Sequence, residues 1–218
     1  ILIVSLALSF YIYIKSGRSR ESLFLLLLAG AFSFWVFDTL ILWTAAPAHV
    51  VMFWWQIIGI FEVLIFTLGI AFVWSFNNPS LKIGSLAPLS LPVIVVSLFL
   101  PTTFNISGFD IDNCEGIIGI LWNLIYAFEI VSIFLIAGIG IQRYRTSKKS
   151  GAPLTRLSYI TTGMCIFLGT FAMTNMTGDF TKIYQIDLVG PVGMVIFFTY
   201  LGYIMLRFKT FGIKLFVS

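Results

Sequence analysis

The chain has 218 residues, 59% of them hydrophobic and only 10% charged, with 13 Lys or Arg against 9 Asp or Glu. A soluble domain is about half apolar and about a quarter charged, so a soluble globule is excluded and lipid is the expected solvent. The formal net charge of +4 suits attraction to an anionic leaflet and not a nucleic-acid footprint.

A membrane-spanning helix needs about 20 mostly apolar residues. Charges, Pro and Gly divide the chain into seven such runs, at 1–14, 22–43, 50–75, 84–100, 116–141, 157–176 and 188–206. The first is short, and the fourth carries Pro88 and Pro92 and is expected to bend. The runs are continuous and do not alternate at period two, which argues against a β-barrel. The expected fold is an all-α, seven-transmembrane helix bundle over 1–206, followed by a basic juxtamembrane linker over 207–218 that leads toward an output domain beyond Ser218.

Lys and Arg set the expected orientation. Lys15, Arg18, Arg20, Lys82, Arg143, Arg145, Lys148, Lys149, Arg156, Arg207, Lys209 and Lys214 all fall on one side of seven spans, leaving Lys182 alone opposite. Asp110, Asp112, Glu115, Asp179 and Asp187 fall with Lys182. The N-terminus is therefore expected outside and the C-terminus in the cytoplasm of a multi-pass cell-membrane protein.

Three acids lie inside spans: Asp38, Glu62 and Glu129. No Lys or Arg lies in any span interior to neutralise them. At ~1.5 Å per residue, Glu62 is ~18 Å and Glu129 ~20 Å from the outer ends of their spans, near the bilayer midplane, while Asp38 lies in the outer third of its span. Trp122, Tyr126 and Glu129 share a helical face with Asn123 beside them; Trp55, Gly59 and Glu62 share another with Gln56 adjacent; Trp35 and Asp38 are three apart. An intramembrane acid marks a functional site by default, although each could instead sit protonated as a structural hydrogen-bond donor. The expected site is an outer-half polar pocket lined by Trp35, Asp38, Trp55, Gln56, Glu62, Asn123, Tyr126 and Glu129.

Other signals are weaker. Cys114 falls in a polar loop and Cys165 halfway along a helix, so both are expected free. Asn105-Ile-Ser107 and Asn175-Met-Thr177 match the N-glycosylation pattern on the outer side, a match common by chance. Span 188–206 has no lysine for a retinal Schiff base. No zinc spacing, phosphate-binding glycine loop or nucleophile–base pair occurs, so no cofactor, metal ligand or catalytic residue is expected in these residues.

Toward the C-terminus, "PLTRLSYITTGMCIFLGTFAMTNM" and "LVGPVGMVIFFTYLGYIMLRFKTFGIKL" place Arg156, Gly163, Gly190, Pro191, Tyr203, Ile204, Arg207, Phe208, Phe211 and Ile213 in a pattern. It resembles the seven-helix N-terminal sensor region of bacterial and archaeal histidine kinases. The stretch "LWTAAPAHVVMFWWQIIGIFEVLIFTLGIAFVWSF" is similar to that family's second and third helices, except that Glu62 stands where a small residue or proline is expected. The resemblance implies a two-component input domain that signals through Arg207, Phe208, Lys209 and Phe211, and a homodimer if a kinase follows. The stimulus is expected to be a small-molecule ligand, protons or the membrane state, with membrane lipids as partners and no nucleic acid. A small-solute or proton-coupled transporter and an accessory subunit of a larger membrane complex remain alternatives.

Overall fold

The computed structural model describes residues 2–44, 47–78, 83–110, 115–149 and 156–208. It is about 86% helical and all-α in class. In chain order, α1 spans Leu2–Lys15, α2 Arg20–Thr44, α3 Ala48–Asn77 and α4 Leu91–Phe99, the last preceded by a 3₁₀ segment at Ile83–Ser90. Two short strands follow, β1 at Ile106–Asp110 and β2 at Glu115–Ile118. Then come α5 (Ile120–Lys149), α6 (Arg156–Thr181), a 3₁₀ segment at Tyr184–Val189 and α7 (Gly190–Phe208).

Helices α2, α3, α5 and α6 are long and apolar enough to cross a membrane, their most apolar 18-residue stretches having mean hydropathies of 2.1, 2.4, 2.3 and 1.4. The apolar stretches of α1, α4 and α7 are shorter. Large apolar side chains cover much of the outside, Phe134 and Phe180 at 73% exposure and Leu98 at 70% among them. Such a surface would drive aggregation in water and is stable in lipid.

Helix packing follows residue size. Gly69 on α3 backs onto Leu168 of α6, where an added Cβ would lie 2.9 Å from Cδ1. Small residues at such crossings let two backbones approach closely, which matters most where lipid removes the hydrophobic drive for association. Around this crossing the core is aromatic. Phe32 and Trp35 of α2 meet Phe167 and Phe171 of α6, with ring centroids 5.6 Å apart for Phe32–Phe167 and 4.7 Å for Trp35–Phe171. Phe197 of α7 stacks on Phe167 at 5.5 Å. α3 touches α2, α4, α5 and α6 and both strands, so it is the central helix.

Two spans differ from their expected helical bounds. The fourth does bend at its prolines: residues through Ser90 form a 3₁₀ segment, and the α-helix proper begins at Leu91 with Pro92 in its first turn. The fifth begins at Ile120 and not at 116. Residues 115–118 pair antiparallel with β1, Asp110 opposite Glu115 and Ile106 opposite Ile118. "GIIGI" is a short apolar run, which periodicity cannot assign to helix or strand. Tertiary contact decides it: Gly116 lies against the Trp55 indole, and a Cβ on Gly119 would fall 2.2 Å from the Phe104 carbonyl oxygen.

Asn105 fixes this hairpin to the bundle. It is fully buried, and its amide Nδ2 donates to the Gln56 carbonyl at 2.8 Å and the Leu100 carbonyl at 3.0 Å. The first glycosylation match is thereby a buried structural residue.

Candidate functional site

The acids of α3 and α5 meet inside the bundle. Glu62 is 3% exposed and Glu129 fully buried, and their carboxyl groups lie within hydrogen-bonding reach of each other. Gly59, one turn before Glu62, permits this approach. A Cβ there would lie 3.1 Å from Ile125 and 3.7 Å from Trp122 of α5.

Glu62 is a hydrogen-bond hub. Its Oε1 accepts from Trp35 Nε1 of α2 at 3.2 Å and from Asn175 Nδ2 of α6 at 3.2 Å. Four helices thus converge on one buried carboxyl. Glu129 differs: no N–H or hydroxyl donor among the described residues reaches either of its oxygens, so the Glu62 carboxyl is its polar neighbour. Two ionised carboxylates only accept. A bond between them requires a proton on one.

One helical turn nearer the hairpin, Tyr126 of α5 donates its hydroxyl to Asp179 Oδ2 of α6. Tyr126 precedes Glu129 by three positions and Asp179 follows Asn175 by four, so the same two helices carry both layers. Asp179 is 8% exposed and lies in the field of Lys182 and Glu115 at that end of the bundle. Polar groups thus run in steps from the hairpin end inward to the carboxyl pair.

The expected site residues divide accordingly. Trp35, Glu62, Tyr126 and Glu129 belong to the buried network. Asp38, one turn along α2 from Trp35, is fully buried with no donor from the described residues on either oxygen. Trp55 is 9% exposed and sits beneath Gly116, where it supports the hairpin. Gln56 contributes its backbone carbonyl to Asn105. Asn123 is exposed, and the structure does not bring it to the cluster.

Asn175 and Asp179 belong to the site, although their sequence context gave them other roles. Asn175 sits in the second glycosylation match, and Asp179 follows the apolar run as if in an outer loop. α6 instead continues to Thr181, and Asn175 is 4% exposed. Their spacing of four on an extended helix was the available signal.

Arg207 and Phe208 form the last residues of α7, while Lys209 and Phe211 lie outside the described residues, as does Cys114. Cys165 is a free thiol, half-buried on α6. Among the described residues no group of three or more His, Cys, Asp or Glu is placed to hold a metal ion.

No protein-family model, curated protein or solved structure matches the chain.

Proposed function

We propose that this chain is the membrane input domain of a signalling protein of the histidine-kinase type, and that its stimulus is protonation of the Glu62–Glu129 pair. In this reading all seven helices cross the cell membrane, with the N-terminus and the hairpin outside and the basic ends in the cytoplasm. The single observation that carries it is the contact of two buried carboxyls with no buried base beside them among the described residues.

Three stimuli would suit a membrane sensor: a small ligand, a proton or the state of the bilayer. Burial narrows the choice. Glu62 at 3% and Glu129 at 0% exposure leave no surface for a bulky ligand, whereas a proton needs none. Adding a proton between two like-charged groups removes their repulsion and lets α3 and α5 close. Removing it pushes them apart, and the packing around Gly59 gives little slack. Tyr126 and Asp179 offer the stepping groups by which a proton would travel inward from the hairpin end. The change would leave through α7, which packs on α6 through Phe197 and Phe167.

The test is infrared difference spectroscopy between acid and alkaline pH on the purified chain in lipid nanodiscs. The expected result is a protonated-carboxyl band that titrates in the wild type and is lost in Glu62→Gln, with the helical amide signal unchanged. A spectrum in which Glu62→Gln leaves the titrating band intact would overturn the assignment. Proton flux across proteoliposomes driven by this chain would replace the sensor with a transporter at the same residues.

A further inference from the structure

At the end of the bundle opposite the hairpin, α5 and α6 form a groove of about 570 Å³. Their antiparallel register is fixed at Gly140, where an added Cβ would lie 2.7 Å from Thr161 Cγ2. Tyr144 and Ser158 stand at the mouth of the crevice, and Ala137 and Cys165 at its deep end. Seven residues separate Tyr144 from Ala137, so the crevice descends ~10 Å.

The walls are apolar in effect as well as in composition. Thr161 and Thr162 line the crevice, but their hydroxyls turn back to the Leu157 and Ser158 carbonyls at 2.7 and 2.9 Å. Each therefore meets its own hydrogen-bond demand within α6. An occupant of the deep end needs no polar groups.

The mouth is the opposite. A second recess of about 350 Å³ shares Ile141 with the crevice and is lined by Gln142, Arg145 and Thr146. Arg143, Arg145 and Lys148 are exposed around it. Between Glu129 and Asp179 the sequence holds Arg143, Arg145, Lys148, Lys149 and Arg156 and not one acid. α5 is ~45 Å long against a hydrocarbon core of ~30 Å, which leaves its basic last turns at headgroup level.

We propose that this crevice and its basic mouth form a binding site for an anionic phospholipid, one acyl chain lying along the α5–α6 groove over Gly140 and the phosphate over Arg145. The commitment to an anionic lipid rests on charge complementarity, since a zwitterionic headgroup would bring its own cation to the same arginines. The inference depends on the membrane-spanning reading above and is independent of the proton reading. An occupant lying in the α5–α6 groove would bear on the packing of the two helices that carry Glu129 and Asn175.

The test is native mass spectrometry of the chain released from detergent with phosphatidylglycerol or phosphatidylcholine of identical acyl chains. The expected result is a retained phosphatidylglycerol adduct preferred over phosphatidylcholine and not displaced by inorganic phosphate. Arg145→Gln should weaken phosphatidylglycerol about fivefold, as one basic residue near a charged headgroup is worth about 1 kcal/mol, and leave phosphatidylcholine unchanged. Ala137→Phe, which fills the deep end, should weaken both lipids alike. A second readout needs no crevice variant: with Cys114→Ser, maleimide labelling of Cys165 should be slower in phosphatidylglycerol nanodiscs than in phosphatidylcholine ones. Equal retention of the two lipids, or equal labelling rates, would overturn the site. A chain that leaves the membrane on alkaline carbonate extraction would overturn the membrane-spanning reading instead.

Discussion

Helices α3 and α5 match in length and in the apolarity of their central stretches, yet they are opposites in the fold. Each has 30 residues, an 18-residue apolar stretch of mean hydropathy near 2.3–2.4 and one glutamate, at the middle of α3 and a third of the way along α5. Yet about 67% of the apolar window of α3 is buried against other helices, compared with 28% for α5. Their glutamates meet, but Glu62 arrives on the central helix with Trp35 and Asn175 already bonded to it, while Glu129 brings no such donor. In a membrane chain, hydropathy measures compatibility with lipid and says little about which helix is surrounded by protein. Small residues and polar partners make that decision.

The largest expected effect tests the burial contrast directly. Phe66 on α3 is fully buried near the Phe171 ring, while Phe134 on α5 is 73% exposed. Phe66→Ala should cost ~3–5 kcal/mol and Phe134→Ala less than about 0.5 kcal/mol, read from equilibrium unfolding in mixed micelles. Equal losses would mean that the two helices are not inner and outer.

The two glutamates should also respond unequally. Glu62→Leu strands the Trp35 and Asn175 donors in the interior and should destabilise by roughly 2 kcal/mol or more, since each unsatisfied buried group costs ~1–3 kcal/mol. Glu129→Leu removes a buried carboxyl without orphaning an N–H, so it should be neutral or stabilising. The same unfolding measurement reads both, and the reverse order would remove Glu62 from its place as hub.

Smaller effects sharpen the picture. Tyr126→Phe deletes the hydroxyl bonded to Asp179 and should cost about 1 kcal/mol. It should also slow the pH response in stopped-flow tryptophan fluorescence without abolishing it. A response rate equal to the wild type would place proton entry elsewhere. Smallest of all, Asn123→Ala should stay within about 0.5 kcal/mol of the wild type, and a larger loss would return Asn123 to the site.

Much of this was legible in the sequence. The ends of helices α2 and α3 fall within two residues of the expected 22–43 and 50–75, because a long apolar run is read residue by residue. The absence of any base near the acids could be read in the same way. The β2 strand could not, since "EGII" is four residues long and its state depends on Trp55 and Phe104 from elsewhere in the chain. Asn123 was misplaced by helical phase: it sits ~100° around α5 from Trp122, enough to turn it outward while Trp122 is buried. Asn175 and Asp179 were missed because an apolar count ends the sixth span near 176, although the helix continues another turn.

The sequence by itself determined the apolar character of the chain, the positions of the long apolar helices and the fact that three acids lie among apolar residues without a base. These are local sums, and each residue contributes whatever its neighbours are. Only the tertiary structure decided that Glu62 and Glu129 share one place, that Asn175 completes it and that Asp38 stands without a described donor. Those outcomes depend on how closely α3 approaches α5 at Gly59 and α6 at Gly69, where a single added carbon would collide with Ile125 or Leu168. Distances between helices arise from the packing of several segments at once, and no window along the chain contains them.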